Sequence, residues 1–152
     1  MPEEATLKRA EQDKREGKAP STQAGEFIRE EMHHIREGKH GARSTKQAIA
    51  IGLSKARRAG VKLPPPKEGT VSEKTRESAE RAYEEGQSHR QKKPSPKRSR
   101  ATLHALQREG HRAASHEALS QQARKSSHRR SGAQRSASAR KAARTRAEHR
   151  HS

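Results

Sequence analysis

The sequence predicts a mostly α-helical chain with extensive disorder, made of a small helical hairpin, marginal helices and a basic low-complexity tail. Three observations lead to this class. Only 26% of the 152 residues are hydrophobic while 36% are charged, and the aromatic residues reduce to Phe27 and Tyr83. Large apolar side chains must offset roughly 1–2 kcal/mol of backbone entropy for each residue ordered, and most of this chain cannot supply them. Where apolar residues do recur in order, between residues 22 and 63, they recur at helical spacing.

Residues 1–21 are polar, with Gly17 and Pro20 near their end, and read as an N-terminal tail with at most a transient helix. The hairpin module spans residues 22–63. Its first helix is expected over 23–37, with Ile28, Met32 and Ile35 on one stripe, Phe27 beside it, and Gly38 and Gly41 as the stop. The second opens at Ser44, with Gln47 three residues on in the capping-box pattern. Its stripe is Ile49, Leu53 and Ala56, and Gly60 is placed as the C-terminal cap. Ile49, Ile51 and Leu53 also alternate as a strand would; the end signals favour helix. Val61 and Leu63 are expected to fold back before Pro64, Pro65 and Pro66 open a stiff spacer over residues 64–69.

Residues 70–88 are a third expected helix, with Thr70 and Glu73 in the capping-box pattern. Residues 89–100 are a basic linker rich in Pro and Ser, and residues 101–130 a marginal helical segment interrupted by Gly110, a hairpin or two short helices. Residues 131–152 are Ala/Arg/Ser/His low complexity, expected to be disordered. So few large apolar residues leave the hairpin short of core, and self-association or a protein partner through the 22–63 module would remedy that.

Charge is distributed unevenly. Residues 1–90 hold 19 Lys and Arg against 15 Asp and Glu, a net of +4; residues 91–152 hold 17 against 3, a net of +14. Such asymmetry marks a basic arm on a balanced body, and nucleic acid is the usual polyanion to meet it. The candidate phosphate contacts are Lys92, Lys93, Lys97, Arg98 and Arg100; Arg124, Lys125, Arg129 and Arg130; and Arg135, Arg140, Lys141, Arg144, Arg146 and Arg150. Around Ala139–Arg146, alanine favours helix while like charges oppose it, so phosphate neutralisation is expected to let the segment coil. Lys93-Pro94-Ser95-Pro96-Lys97-Arg98 resembles the Ser-Pro-Lys-Lys elements of linker-histone tails, which implies a mild preference for A·T-rich minor grooves. With both aromatic residues outside the arm, base stacking on single strands is disfavoured.

Other chemistries find little footing. Cysteine is absent, so disulfides, thiolate metal sites and cysteine nucleophiles are excluded. Among the ten histidines, Glu30 with His34 and His33 with Glu37 are the good i,i+4 pairs, and no third ligand converges from the sequence. Neither a metal nor a cofactor is therefore expected. No catalytic motif appears and no composition to line a pocket, so no enzyme is expected. Gly38-Lys39-His40-Gly41 has the Gly-x-x-Gly form of a backbone clamp, but strands for the KH fold that uses it are missing. Lys39, Arg43 and Lys46 remain candidates for a loop anion contact ahead of a helix N-terminus. No apolar run is membrane-length, and Met1-Pro2-Glu3-Glu4 does not open a signal peptide, so a cytoplasmic setting is expected.

Met32-His33-His34, then Gly38-Lys39-His40-Gly41, then Lys46-Gln47-Ala48-Ile49-Ala50-Ile51-Gly52-Leu53-Ser54 make residues 27–60 resemble a family of uncharacterised bacterial proteins. That family reads Ser-Glu-Ala where this chain has Ser54-Lys55-Ala56, a more basic version. The resemblance implies a bacterial, cytoplasmic setting and supplies no established activity to carry over. By composition, the arm resembles the linker-histone-like tails of nucleoid proteins. The expected function is thus non-sequence-specific binding of nucleic acid, DNA before RNA, in the nucleoid. A ribosome-associated RNA binder and a protein adaptor acting through residues 22–63 are the alternatives.

Overall fold

The computed structural model describes residues 1–89 and 93–151. Every regular element among them is helical: α1 (Glu4–Arg15), α2 (Pro20–Arg36), α3 (Thr45–Arg58), α4 (Glu73–Gln87), α5 (Pro96–Gln107), a 3₁₀ turn (Arg112–Ala114), α6 (His116–Arg129) and α7 (Gly132–Arg150). The chain divides into two units, Met1–Ser115 and His116–Ser152.

In the first unit α1 packs on α2, α2 on α3 and α3 on α4, so chain order is also spatial order. The core is small in side-chain volume: Ala10, Ala24, Phe27, Ala56 and Val61, with Leu53 and Leu63 partly buried against them. Ile35 and Met32 extend it along α2. Close helix approach makes up for the missing bulk. On α3 Ala48, Gly52 and Ala56, four residues apart, are buried along with Thr45 and Arg57 at its ends, while Ile49, Ile51 and Leu53 are only partly covered. The expected stripe of Ile49 and Leu53 is therefore displaced by one residue, and small side chains face α2. A Cβ on Gly52 would stand 2.8 Å from the Ile28 Cα, so the two backbones cross there with room for hydrogen only.

The hairpin's ends follow their local chemistry. Pro20 occupies the first turn of α2, where its missing N–H costs nothing. Gly38 takes φ +76° and Gly60 φ +96°, the left-handed conformation that ends α2 and α3. Ser44 caps α3 by accepting from the Gln47 amide at 3.1 Å, while the Gln47 side chain accepts from the Arg43 amide at 2.7 Å. After α3, Val61 donates to the Ala56 carbonyl at 3.1 Å, and buried Arg57 donates to the Leu63 and Pro64 carbonyls, each at 3.2 Å. The proline segment is thereby tied to the hairpin, and desolvation lowers the Arg57 pKa from its ordinary value. α4 starts two residues later than Thr70 suggested: Ser72 is its cap, accepting from the Thr75 amide, while Thr70 donates to the Lys67 carbonyl in the preceding turn.

Two expectations are corrected. Residues 1–21 are not a loose tail, because α1 buries Thr6, Ala10 and Asp13. Those residues stand four and three apart, a helical face made of small and polar side chains rather than large apolar ones. Residues 101–130 hold most of α5, the 3₁₀ turn and α6, so two short helices run there; α5 and the turn belong to the first unit and α6 to the second. Finally, the extensive disorder is not found among the described residues. Residues 132–150 form α7, opened by a full capping box between Ser131 and Gln134, with no residue buried. Its alanines, arginines and lysine are strong helix formers, and here propensity and capping prevail over charge repulsion.

Candidate nucleic-acid interface

The two halves of the chain treat their cations differently. In the first unit, acidic residues answer basic ones. Lys8 meets Glu4 at 2.7 Å, Lys18 meets Asp13 and Glu16 at 2.8 Å each, and Arg58 meets Glu85 at 3.6 Å. Arg76 bridges Glu73 at 2.6 Å and Glu80 at 2.8 Å, and these contacts hold the Arg76 pKa above its ordinary value, chiefly through Glu73. Arg9 pairs with Glu26. Carboxylate hydrogen bonds from Asp13 and Glu16 likewise raise the Lys18 pKa. The Lys and Arg ion pairs of the described residues lie between Glu3 and Glu85.

Beyond Glu85 the Lys and Arg side chains form no ion pair among the described residues. Lys93 is exposed in irregular chain, and Pro96 starts α5 so that Lys97, Arg98 and Arg100 stand exposed on its first turns. The Lys93–Arg98 stretch therefore runs from irregular chain into a helix, with two cations beside the positive end of the helix dipole. Lys92 lies outside the described residues. In the second unit Arg124, Lys125 and Arg129 lie exposed on α6, and Arg135, Arg140, Lys141, Arg144, Arg146 and Arg150 lie exposed on α7. Arg130, between the helices, donates to the Gln134 carbonyl at 3.2 Å and to the Ser138 hydroxyl, which fastens the start of α7.

At 100° per residue, Arg135, Arg146 and Arg150 share one side of α7 and Arg140 and Arg144 the opposite side, with Lys141 between. Arg140 and Arg144 are one turn apart, about 6 Å along the axis at 1.5 Å per residue. Each side is a ladder of cations on a helix about 28 Å long.

The loop candidates fare differently. Lys39 is engaged with Glu37 at 3.2 Å and Glu3 at 3.5 Å, and these partners raise its pKa, Glu37 most. The Gly41 amide donates to Leu106 at 2.9 Å, the Ala42 amide to Gly110 at 3.1 Å, and the Thr45 hydroxyl to the Ala113 carbonyl at 2.7 Å. A Cβ on Gly41 would fall 2.1 Å from the Glu109 carbonyl oxygen. The glycine loop is thus a seat for residues 106–114, and its amides are already used; Arg43 and Lys46 stay exposed beside it.

Sequence reasoning missed one cluster. Glu31, fully buried, accepts from Lys55 and from His40, whose Nε2 lies 3.0 Å away; the His40 Nδ1 faces the Gly41 carbonyl at 2.9 Å. Next to it, His34 meets Glu3 at 2.9 Å. The His34 ring, followed by Lys39, holds the Glu3 carboxyl below its ordinary value. Lys55, which makes the chain more basic than the pattern around it, is thus the counter-ion of a buried carboxylate.

No helix among the described residues is long and apolar enough to cross a membrane. No curated protein and no solved structure matches the chain. Residues 19–67, which hold α2, α3 and the proline segment fastened by Arg57, match the model of a family of unknown function (DUF6496).

Proposed function

We propose that the chain binds nucleic acid without sequence specificity, by phosphate neutralisation through its basic C-terminal arm. The observation that carries this reading is the contrast in charge pairing. Between Glu3 and Glu85 acidic residues lie against neighbouring cations, while the Lys and Arg side chains on α5, α6 and α7 are exposed and form no ion pair among the described residues. Like charges on an isolated helix repel, and a polyanion turns that repulsion into attraction by releasing its condensed counterions. Duplex DNA suits cation ladders that lack aromatic neighbours, and the setting proposed is a bacterial nucleoid with a linker-histone-like mode of binding.

A competition titration at one salt concentration, using GC-rich, mixed and A-tract duplexes of equal length beside a structured RNA, tests the reading. Affinities for the three duplexes should agree within about tenfold, or 1.4 kcal/mol, with DNA preferred to RNA. A thousandfold preference for one sequence would mean that a folded element reads bases. A matching preference for the RNA would move the target to RNA.

A further inference from the structure

The phosphate-binding reading leaves unused a cleft of about 210 Å³ between the start of α1 and the second half of α2. Glu3, Glu30 and His34 each bring one ligand atom into it, all within 4.8 Å of one another. Glu30 and His34 are one helical turn apart on α2, and Glu3 arrives from the N-terminal segment as the third group.

Glu30 is the informative member. The residue is 3% exposed, its Oε1 accepts from the Glu3 amide, and its Oε2 is buried with no hydrogen-bond partner among the described residues. A dry carboxylate oxygen with nothing to bond is costly, and a cation placed against it removes the cost. The arginines lining the cleft are occupied elsewhere, since Arg9 pairs with Glu26 and the Arg29 Nη1 lies 4.0 Å from the same carboxylate.

We propose that Glu3, Glu30 and His34 form a binding site for a divalent transition-metal ion, with water completing its coordination. Two carboxylates and an imidazole suit zinc, manganese, iron or cobalt, whereas magnesium and calcium favour oxygen alone. Glu31 and His40, whose ligand atoms also lie within 4.8 Å of His34, stand behind the site as supporting groups. They are not its ligands, because both Glu31 oxygens and both His40 nitrogens already have partners. The Glu3 rim is half-exposed, which leaves a path in, and an entering ion replaces His34 and Lys39 as the partners of Glu3.

Ten histidines make zinc uptake alone uninformative. The test is a Co²⁺ titration of the full chain, followed by the cobalt d–d absorption, with Zn²⁺ and Mg²⁺ tested for their effect on the melting temperature. One Co²⁺ per chain should give the d–d signal, weakened at least tenfold in affinity in Glu3→Gln and in Glu30→Gln. Replacing His149 and His151 by Gln should leave it unchanged. Zn²⁺ should raise the melting temperature and Mg²⁺ should not. If Glu30→Gln disturbs folding, Glu3→Gln at the exposed rim decides alone. An unchanged titration in Glu3→Gln, a signal lost with the tail histidines, or an equal effect of Mg²⁺ would each overturn the proposal.

Discussion

Replacing Gly52 by Ala sets two opposed effects against each other, and their sum tests how closely α2 and α3 cross. In an unobstructed helix interior, Gly→Ala stabilises by about 0.5–1 kcal/mol through lower unfolded-state entropy. At Gly52 the new Cβ would meet the Ile28 Cα at 2.8 Å, its Cγ1 at 2.9 Å and its N at 3.0 Å. Carbon pairs settle near 3.5–4.0 Å, and two of these three atoms are backbone, so the helices must part by several tenths of an ångström. Overpacking of this kind costs about 1–3 kcal/mol, leaving a net loss of up to about 2.5 kcal/mol once the propensity gain is counted. Gly25, inside α2 with nothing within 4 Å of its built Cβ, is the control and should show the gain alone. Urea unfolding followed by helical ellipticity measures both variants at matched slope. If Gly52→Ala stabilises as much as Gly25→Ala does, the helices do not cross at Ile28 and the small-residue packing described for the core is wrong.

Further outcomes follow from the same contacts. Ser44→Ala, by removing the α3 cap, should cost about 0.5–2 kcal/mol in the same urea assay. Lys55→Met should destabilise by about 1–3 kcal/mol, less than a fully buried pair because the Lys55 side chain is 24% exposed and His40 remains on Glu31. Adding Glu31→Gln to Lys55→Met should recover much of that loss, and a double variant worse than the sum would contradict the pairing. The Glu3 carboxyl, held below its ordinary value of 4.5 mainly by His34, adds stability that is full above about pH 4.5 and lost as pH falls through the lowered value. Acid titration of Glu3→Gln should therefore show a shallower loss in that window, and a profile identical to that of the unaltered chain would remove Glu3 from the cluster.

Much of the hairpin was legible in the sequence because its signals are local. Ser44 with Gln47, Gly38 and Gly60 act through neighbouring amides and φ values, and these act without reference to the rest of the molecule. The faces of the helices were harder to read. Apolar size points to Ile49 and Leu53, but the tight crossing needs Ala48, Gly52 and Ala56, whose value depends on a partner helix the sequence does not locate. The packing of α1 was hidden for the same reason, since Thr6 and Ala10 carry no hydrophobic signal strong enough to mark a core face. Gly41 reads as a helix stop from its neighbours, yet its role is the approach of residues 106–110, some 65 positions away. The Glu3, Glu30 and His34 cluster was half visible as an i,i+4 pair, and its third member arrives only through tertiary folding. The basic arm was legible by charge alone; its helical state turned on how propensity and capping weigh against repulsion.

The central claim is that the unpaired cations of the arm contact phosphate while the paired cations of the first unit do not. The direct measurement is the salt dependence of duplex affinity for two full-length variants of equal charge change. In one, Arg135, Arg140, Lys141, Arg144, Arg146 and Arg150 become Gln; in the other, Lys8, Arg15, Arg29, Arg58, Arg76 and Arg81, all paired with first-unit carboxylates, become Gln. Each phosphate contact removed lowers the log–log slope by about 0.9. Full engagement of α7 therefore predicts a slope smaller by about 5 in the first variant and nearly unchanged in the second. Equal loss of slope in both variants would show that net charge alone drives binding. Loss confined to the second would place the interface on the first unit and contradict the assignment.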